Sequence, residues 1–329
     1  MITITDIAHA MGYTPSTVSR ALAGSIRVKP ETREAIVRKA YEMGYERNAL
    51  AANLRKGHSD TTGIIVPNIN REFFSNAIGG LEFTLNGAGL NAMIFQTHER
   101  YDMEVKALET LKEHRVAGIF ISKALESRDG SHISRIIGNS IPVVQFDRVF
   151  SDLNGPKVVN DNFHGAYMAT RQLIIAGYRK IGSLAGNDFS EAYKERLNGY
   201  RQALADEGID YDGRLVFFDS ITRETGYASA KKAIAAGCDA LYSAGDFSAL
   251  GAIEAARDAG LSVPKDFGIV GTGDEAFASL MNPSMSSIFQ NPYEMGRKAA
   301  EIFLKQQRGE QVESAVVPME LRVRESSCR

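Results

Sequence analysis

Apolar positions recur at helical spacing in the first 45 residues and in short strand-like runs from residue 61 onward. Ile7, Ala8 and Met11 form an i, i+1, i+4 face after Thr5-Asp6, either of which can cap a first helix that Gly12 ends. Val18, Ala21 and Leu22 form the next face, with Thr14 as N-cap and Pro15 in the first helical position. A third helix is expected from about Pro30 to Met43, with Ile36, Val37, Ala40 and Met43 inward and Gly44 as its stop. Two short helices joined by a glycine-containing turn, followed by a third, make a helix-turn-helix head.

The later pattern differs. Gly63–Pro67, Ala92–Gln96, Gly118–Ser122, Pro142–Asp147, Lys157–Val159, Ile181–Ala185, Leu215–Asp219, Ala240–Ala244 and Gly268–Gly271 read as strands. Amphipathic segments lie between them, such as Phe74–Leu85, Met103–Glu113, Phe163–Ala176, Ala192–Glu207, Thr225–Ala236, Ser248–Ala259 and Tyr293–Gln307. Such alternation predicts parallel sheets with helices on both faces. The strands are too many for one small sheet. Two similar lobes, starting near residues 61 and 161, fit better, with crossings near 287–293 and 317–321.

Composition narrows the class. The 329 residues are 44% hydrophobic and 24% charged, which suits two or three globular domains. No apolar run approaches the roughly 20 residues of a membrane span. The opening Met1–Asp6 lacks the basic start and long apolar centre of a signal peptide. Two cysteines, Cys238 and Cys328, give neither a disulfide framework nor a metal cluster, so a reducing cytoplasm is expected. Residues 1–60 carry 9 Lys+Arg against 6 Asp+Glu, and the rest 29 against 34. A weakly basic head on an acidic body suits a head that meets a polyanion.

On the second helix, Pro15, Ser16, Thr17, Ser19 and Arg20 lie on or near the face left free. Taken alone, the stretch fits an ordinary solvated helix or a groove-entering one. Small and hydroxylated residues with one long cation can enter a major groove about 12 Å wide. Asn48 to Gly57 then has a helix-forming composition but spans only about two turns, too short to be stable alone. In the body, parallel lobes bind ligands beyond the carboxyl ends of their strands. Residues there are Asn68, Arg71, Phe73, Phe74, Ser122, Lys123, Asp147, Arg148, Asn187, Arg196, Ile221, Thr222, Asp246, Gly273 and Asp274. Rings beside carboxylates, amides and arginines suit a polyhydroxylated ligand.

Several stretches in register carry a resemblance. Thr3-Ile4-Thr5-Asp6-Ile7-Ala8, Thr17-Val18-Ser19-Arg20-Ala21-Leu22, Pro30-Glu31-Thr32-Arg33 and Met43-Gly44-Tyr45 resemble the head of the lactose/galactose repressor (LacI/GalR) family. Gly63–Asn68, Asp147-Arg148, Gly165-Ala166, Arg196–Tyr200, Val263-Pro264 and Asn282-Pro283 resemble landmarks of its body. The resemblance implies an all-α helix-turn-helix head on an α/β periplasmic-binding-protein-like core of two doubly wound parallel-sheet lobes. It places Pro15, Ser16 and Arg20 at base-reading positions, with Thr5, Thr17 and Ser19 at phosphate or positioning contacts. It makes 47–60 a hinge helix capped by Asn48, with Leu54 as the minor-groove wedge and Arg55 beside it. The domain reading is therefore 1–46 for the head, 47–60 for the hinge, and 61–329 for the core. Within the core the N-lobe takes about 61–160 and 291–320, and the C-lobe about 161–290 and 321–329. The expected effector residues are Asn68, Phe73, Phe74, Asp147, Arg148, Arg196, Thr222, Asp246 and Asp274.

The implied function is a homodimeric transcriptional regulator that binds pseudo-palindromic double-stranded operator DNA. A small, carbohydrate-derived effector would control its affinity, without metal or cofactor and without a membrane. The alternative is a periplasmic-type solute-binding protein. A dinucleotide enzyme is disfavoured because Asn86-Gly87-Ala88-Gly89 follows a helix rather than a first strand. Two departures stand out. Gly245 replaces the usual Asn before Asp246, and Gly273 replaces an Asp that often contacts ligand. Two polar contacts are then lost unless Asp246 and Asp274 turn inward, and a larger or anionic ligand using Arg71, Arg148 or Arg196 comes into view.

Overall fold

The computed structural model describes residues 2–45, 59–138 and 141–329. Contacts divide the chain into two compact units, Met1–Gly57 and His58–Arg329. Asn48, Leu54 and Arg55 of the expected hinge lie outside the described residues.

The head contains α1 (Ile4–Met11), α2 (Pro15–Leu22) and α3 (Pro30–Glu42). The cap of α1 is Thr3 rather than Thr5 or Asp6. Its hydroxyl accepts the Asp6 N–H at 3.3 Å, while Asp6 Oδ2 accepts the Thr3 N–H at 2.8 Å. This reciprocal box satisfies two amide donors at the helix start, and it leaves Thr5 exposed inside the first turn. Gly12 ends α1 at φ +71°, the left-handed region that costs glycine nothing. Thr14 caps α2 by accepting the Thr17 N–H. Ile7, Ala8, Val18, Ala21, Val28, Ile36 and Ala40 form the buried core. Val37, expected inside, is 49% exposed. The inner face of α3 follows Ile36 and Ala40, one turn apart, and the next residue is rotated about 100° away.

The second unit holds two six-stranded sheets. The first is built from β1 (Thr61–Val66), β2 (Asn91–Gln96), β3 (Ile119–Ile121), β4 (Val143–Phe146), β5 (Lys157–Asn160) and a late β11 (Ala315–Val317). Their spatial order is β11-β5-β4-β3-β1-β2. Its helices are α4 (Glu72–Gly87), α5 (Tyr101–Glu113), α6 (Ser131–Ile137) and α11 (Pro292–Gln307). The second sheet has β6 (Ile181–Leu184), β7 (Val216–Phe217), β8 (Ala240–Ser243), β9 (Gly268–Gly273), β10 (Ser286–Phe289) and β12 (Glu320–Arg322), in the order β12-β10-β9-β8-β6-β7. Its helices are α7 (Asn162–Ile175), α8 (Glu191–Asp206), α9 (Arg223–Ala235) and α10 (Asp246–Asp258).

The central strands are buried along almost their whole length because both faces are covered. On β1, Ile64 and Val66 pack with Phe74, Leu81, Met295 and Phe303, whereas Ile65 faces Leu108, Leu111 and Ile133. On β8, Tyr242 joins one core with Tyr200 and Val270, and Leu241 joins the other with Ile253 and Ile269. All described pairings are parallel except β10 with β12, which are antiparallel. The expected strand over Leu215–Asp219 shrinks to Val216–Phe217, because Leu215 closes a 3-10 turn capped by Asp212.

The chain passes between the sheets after β5, after β10 and after β11. One buried amide ties these passages together. Asn160 Nδ2 donates to the Gln290 carbonyl at 2.7 Å and the Val317 carbonyl at 3.3 Å, and its Oδ1 accepts from Gln290 Nε2 at 3.2 Å. Asn160→Ala should therefore cost about 1–3 kcal/mol through orphaned buried partners. Urea unfolding of wild type and variant checks this, and an unchanged midpoint would rule out a fastening role.

Candidate functional site

In the head, Pro15, Ser16 and Arg20 are exposed on the face of α2 opposite Val18 and Ala21, and Thr17 and Ser19 are half-buried. The Thr14 hydroxyl lies 2.9 Å from both Ser16 Oγ and Thr17 Oγ1, so the cap orders the start of this face. Arg20 makes no ion pair with a described residue, which leaves its guanidinium available.

In the second unit, the carboxyl ends of β1, β4, β8 and β9 converge on one cavity. Its walls include Asn68, Arg71, Phe73, Phe74, Asp147, Arg148, Arg196, Ile221 and Asp246. Seven of the nine expected effector residues thus come together. Thr222 and Asp274 do not line it. The Thr222 hydroxyl is engaged at the start of α9, where it accepts the Thr225 N–H at 3.2 Å. The Asp274 carboxylate is drawn off by Arg322 at 3.0 Å and Arg324 at 2.6 Å. Gly273 and Gly245 line the cavity, whereas Ser122, Lys123 and Asn187 do not.

Four functional-looking side chains escaped the sequence reading: Glu99, Tyr193, Phe247 and Glu275. Tyr193 sits one turn before Arg196 on α8, a spacing that places both on one face. Phe247 directly follows Asp246. Glu99 follows β2 in a turn with positive φ, and no local pattern marks it.

The charged groups are held in place. Arg148 donates two parallel hydrogen bonds to Glu99, both 3.0 Å. Arg196 Nε donates to Asn162 Oδ1 at 2.8 Å and Nη1 to the Ala244 carbonyl at 2.7 Å. Asp147 has φ +57°, a strained conformation for a non-glycine residue, and accepts from Ser122 Oγ at 3.1 Å. Burial pushes its carboxyl above the ordinary range, opposed by Arg148 and Arg196. Asp246 Oδ1 accepts from Ser287 Oγ at 2.6 Å and Oδ2 accepts the Glu275 N–H at 2.8 Å. Burial nonetheless pushes it up to about 7. Glu275 is also raised, again by burial first. Hard-to-ionise carboxylates, a pinned arginine and the rings of Phe73, Phe74, Tyr193 and Phe247 make a surface that offers acceptors and stacking faces together. Among the described residues, no nucleophile paired with a base lines the cavity.

Residues 59–325 match the model for periplasmic binding proteins and the sugar binding domain of the LacI family, and residues 3–48 match that for bacterial regulatory proteins of the lacI family. The chain is 30% identical to the ribose operon repressor of Haemophilus influenzae, over 93% of this chain and 92% of that protein. It is 31% identical to the HTH-type transcriptional regulator CelR of Thermobifida fusca, over 98% of each. Among solved structures, a transcriptional regulator CelR–cellobiose complex matches with TM-score 0.74 and 29% identity, covering 99% of this chain and all of that one. The lac repressor dimer bound to operator and the anti-inducer ONPF has the same fold, at TM-score 0.86 and 22% identity, covering 100% and 99%. The chain belongs to the LacI family and is a DNA-binding transcriptional regulator rather than an enzyme.

Proposed function

We propose that residues 1–46 read operator DNA, with Pro15, Ser16 and Arg20 toward base edges and Thr5, Thr17 and Ser19 toward the backbone. In this reading 47–60 is a hinge, with Asn48 at its start and Leu54 and Arg55 at the minor groove. Residues 61–329 form the effector-binding and dimerisation core, its lobes divided at 160/161, 290/291 and 320/321. The protein acts in the cytoplasm as a homodimer on a pseudo-palindromic site, because two-fold symmetry in the protein calls for two half-sites. A transport protein has no use for the head, so the solute-binding alternative falls away.

The effector is a carbohydrate or a close derivative. The observation that carries this is the lining itself: four aromatic rings beside Asn68, Asp147, Arg196 and Asp246. Sugars present apolar faces to rings and hydroxyls to charged acceptors and donors. That the relative CelR was solved with cellobiose supports the same class. A gel shift on DNA upstream of its own gene, with and without cellobiose and ribose, tests the reading. Specific binding modulated by a sugar supports it; no specific binding at moderate salt under either condition defeats it.

Pro15 has no donor, so Arg20 carries the strongest polar contact available to a base. Arg20→Ala should cost about 1–3 kcal/mol and relax sequence preference at one position per half-site. Binding-site selection from randomised DNA checks this. A uniform loss across all sequences would place Arg20 on phosphate instead.

A further inference from the structure

Gly271 and Gly273 flank Thr272 at the end of β9. A methyl group built on Gly271 would collide with Asp246 Oδ1, and one built on Gly273 would lie 3.4 Å from Oδ2. Gly273 also holds φ +135°, which strains any L side chain. The carboxylate of Asp246, arriving from the first residue of α10, thus occupies space that side chains of β9 would otherwise take. With no side chain at position 273, the carboxylate at this strand end comes from a different element.

The same carboxylate is the first link in a short chain of hydrogen bonds between the lobes. Asp246 Oδ2 holds the Glu275 N–H at 2.8 Å. The next amide, Ala276 N–H, donates to Glu72 Oε2 at 2.6 Å, and Glu72 begins α4 on the opposite sheet. Arg71 lies over the Phe247 ring at 4.1 Å. Residues 71–72 of one lobe therefore interlock with 246–247 and 275–276 of the other. A second guanidinium–ring contact, Arg128 over Phe189 at 3.6 Å, joins the loops after β3 and β6 outside the cavity.

We propose that Asp246 is the specificity-determining carboxylate of the cleft, and that it couples a hydroxyl-bearing, uncharged effector to the Glu72 clasp through the amides of Glu275 and Ala276. The proposal rests on the cleft being the effector site. The charged groups that act on Asp246 are Glu275 and Asp274 on the turn after β9; Arg71 and Glu72 of the other lobe act on Glu275, and Arg322 and Arg324 on the β12 segment are committed to Asp274. An anionic group seated on Asp246 would meet two carboxylates, whereas a neutral hydroxyl donates to an acceptor. The clasp passes the event on because Asp246 holds the amide adjacent to the one Glu72 holds. A ligand that recruits Asp246 pulls on a turn fixed to both lobes, which is the differential contact that a shift between lobe arrangements requires.

Two measurements on the full-length protein test this. The first needs no effector: amide hydrogen exchange over residues 274–277 in wild type, Glu72→Ala and Gly271→Ala. Exchange there should quicken by about tenfold in both variants, with the rest of the C-lobe unchanged. Unchanged protection in Glu72→Ala, whose residue lies at a helix start and outside both cores, overturns the clasp. The second titrates cellobiose, ribose and their phosphate esters by thermal shift. A neutral sugar that stabilises wild type should bind Asp246→Asn at least about tenfold more weakly. Equal affinity, or tighter binding of the phosphate ester than of its parent, overturns the specificity role. Failure of every sugar on wild type would remove the carbohydrate reading, and the exchange result would then decide the clasp by itself.

Discussion

Asp246→Asn is expected to raise the thermal unfolding midpoint above that of the ligand-free wild type at about pH 8, and to make little difference at about pH 4. Asp246 is 2% exposed, and burial outweighs the two hydrogen bonds it accepts, so its carboxyl titrates at about 7 rather than near 3.8. The folded state thus holds this proton more tightly than the unfolded chain. Its stabilising contribution is complete below the unfolded value near 4 and disappears as pH rises through about 7. Above that, the native protein carries a buried charge, and about three pKa units correspond to roughly 4 kcal/mol as an upper estimate. Asparagine is isosteric and always neutral. Its amide oxygen can keep the Glu275 N–H, while its NH2 faces Ser287 Oγ, whose hydroxyl loses Asp246 as acceptor but keeps the Asp274 N–H; that lost hydrogen bond, about 1 kcal/mol, is smaller than the cost of the buried charge it removes. Scanning fluorimetry from about pH 4 to 8.5 should show the gap between variant and wild type widening to about pH 7 and then levelling. A gap independent of pH would mean that Asp246 does not titrate in this range. A residue that destabilises its own fold at working pH is a mark of function rather than of packing.

This carboxylate also shows where reading the sequence reached its limit. Strand-end positions were legible, because a parallel sheet puts its ligand residues there, and Asn68, Asp147 and Asp246 line the cavity. Gly273 was legible as the loss of an acid. Asp246 and Asp274 were both legible as acids that could make up the loss, but not which of them does, since the space beside Gly271 and Gly273 belongs to α10 only after β8 and β9 pair. Asp274 looked equally able to turn inward, but Arg322 and Arg324, some 50 residues on, decide otherwise. Thr222 satisfied a positional rule and a capping rule at once, and the cap prevailed. In the head the signals are local, so prolines, glycines and caps located the helices. The exception was the cap of α1, expected at Thr5 or Asp6 and found at Thr3, whose three-residue reach to Asp6 closes the reciprocal box. The surrounding cleft residues Glu99 and Glu275 follow strands in turns with no apolar periodicity, so nothing in the pattern set them apart.

Glu104→Ala is expected to be strongly destabilising, at about 1–3 kcal/mol for each buried donor left without its acceptor. Glu104 is fully buried on α5 and shares its carboxylate among three donors. Oε1 accepts from His132 Nε2 at 2.7 Å and Ser127 Oγ at 2.9 Å, and Oε2 accepts the Ala124 N–H at 2.7 Å. Alanine strands all three and leaves a cavity beside His132, which packs edge-on between Tyr101 and Phe150. The loss would be felt in the cleft as well. Leu125, a cleft residue, donates its N–H to Glu99 Oε2 at 2.9 Å, and Glu99 is the partner of Arg148. Two glutamates thus hold adjacent amides of one loop, Glu104 from beneath and Glu99 from the cleft side. Glu104→Gln is the discriminating control. Its oxygen can keep Ala124, and its NH2 can donate to a His132 tautomer that accepts at Nε2, so the cost should fall to about 1–2 kcal/mol. Urea unfolding of both variants supplies the comparison, with hydrogen exchange over residues 123–130 as the local readout. If alanine and glutamine cost the same, the carboxylate's hydrogen bonds are not what holds the loop, and packing around His132 carries it instead.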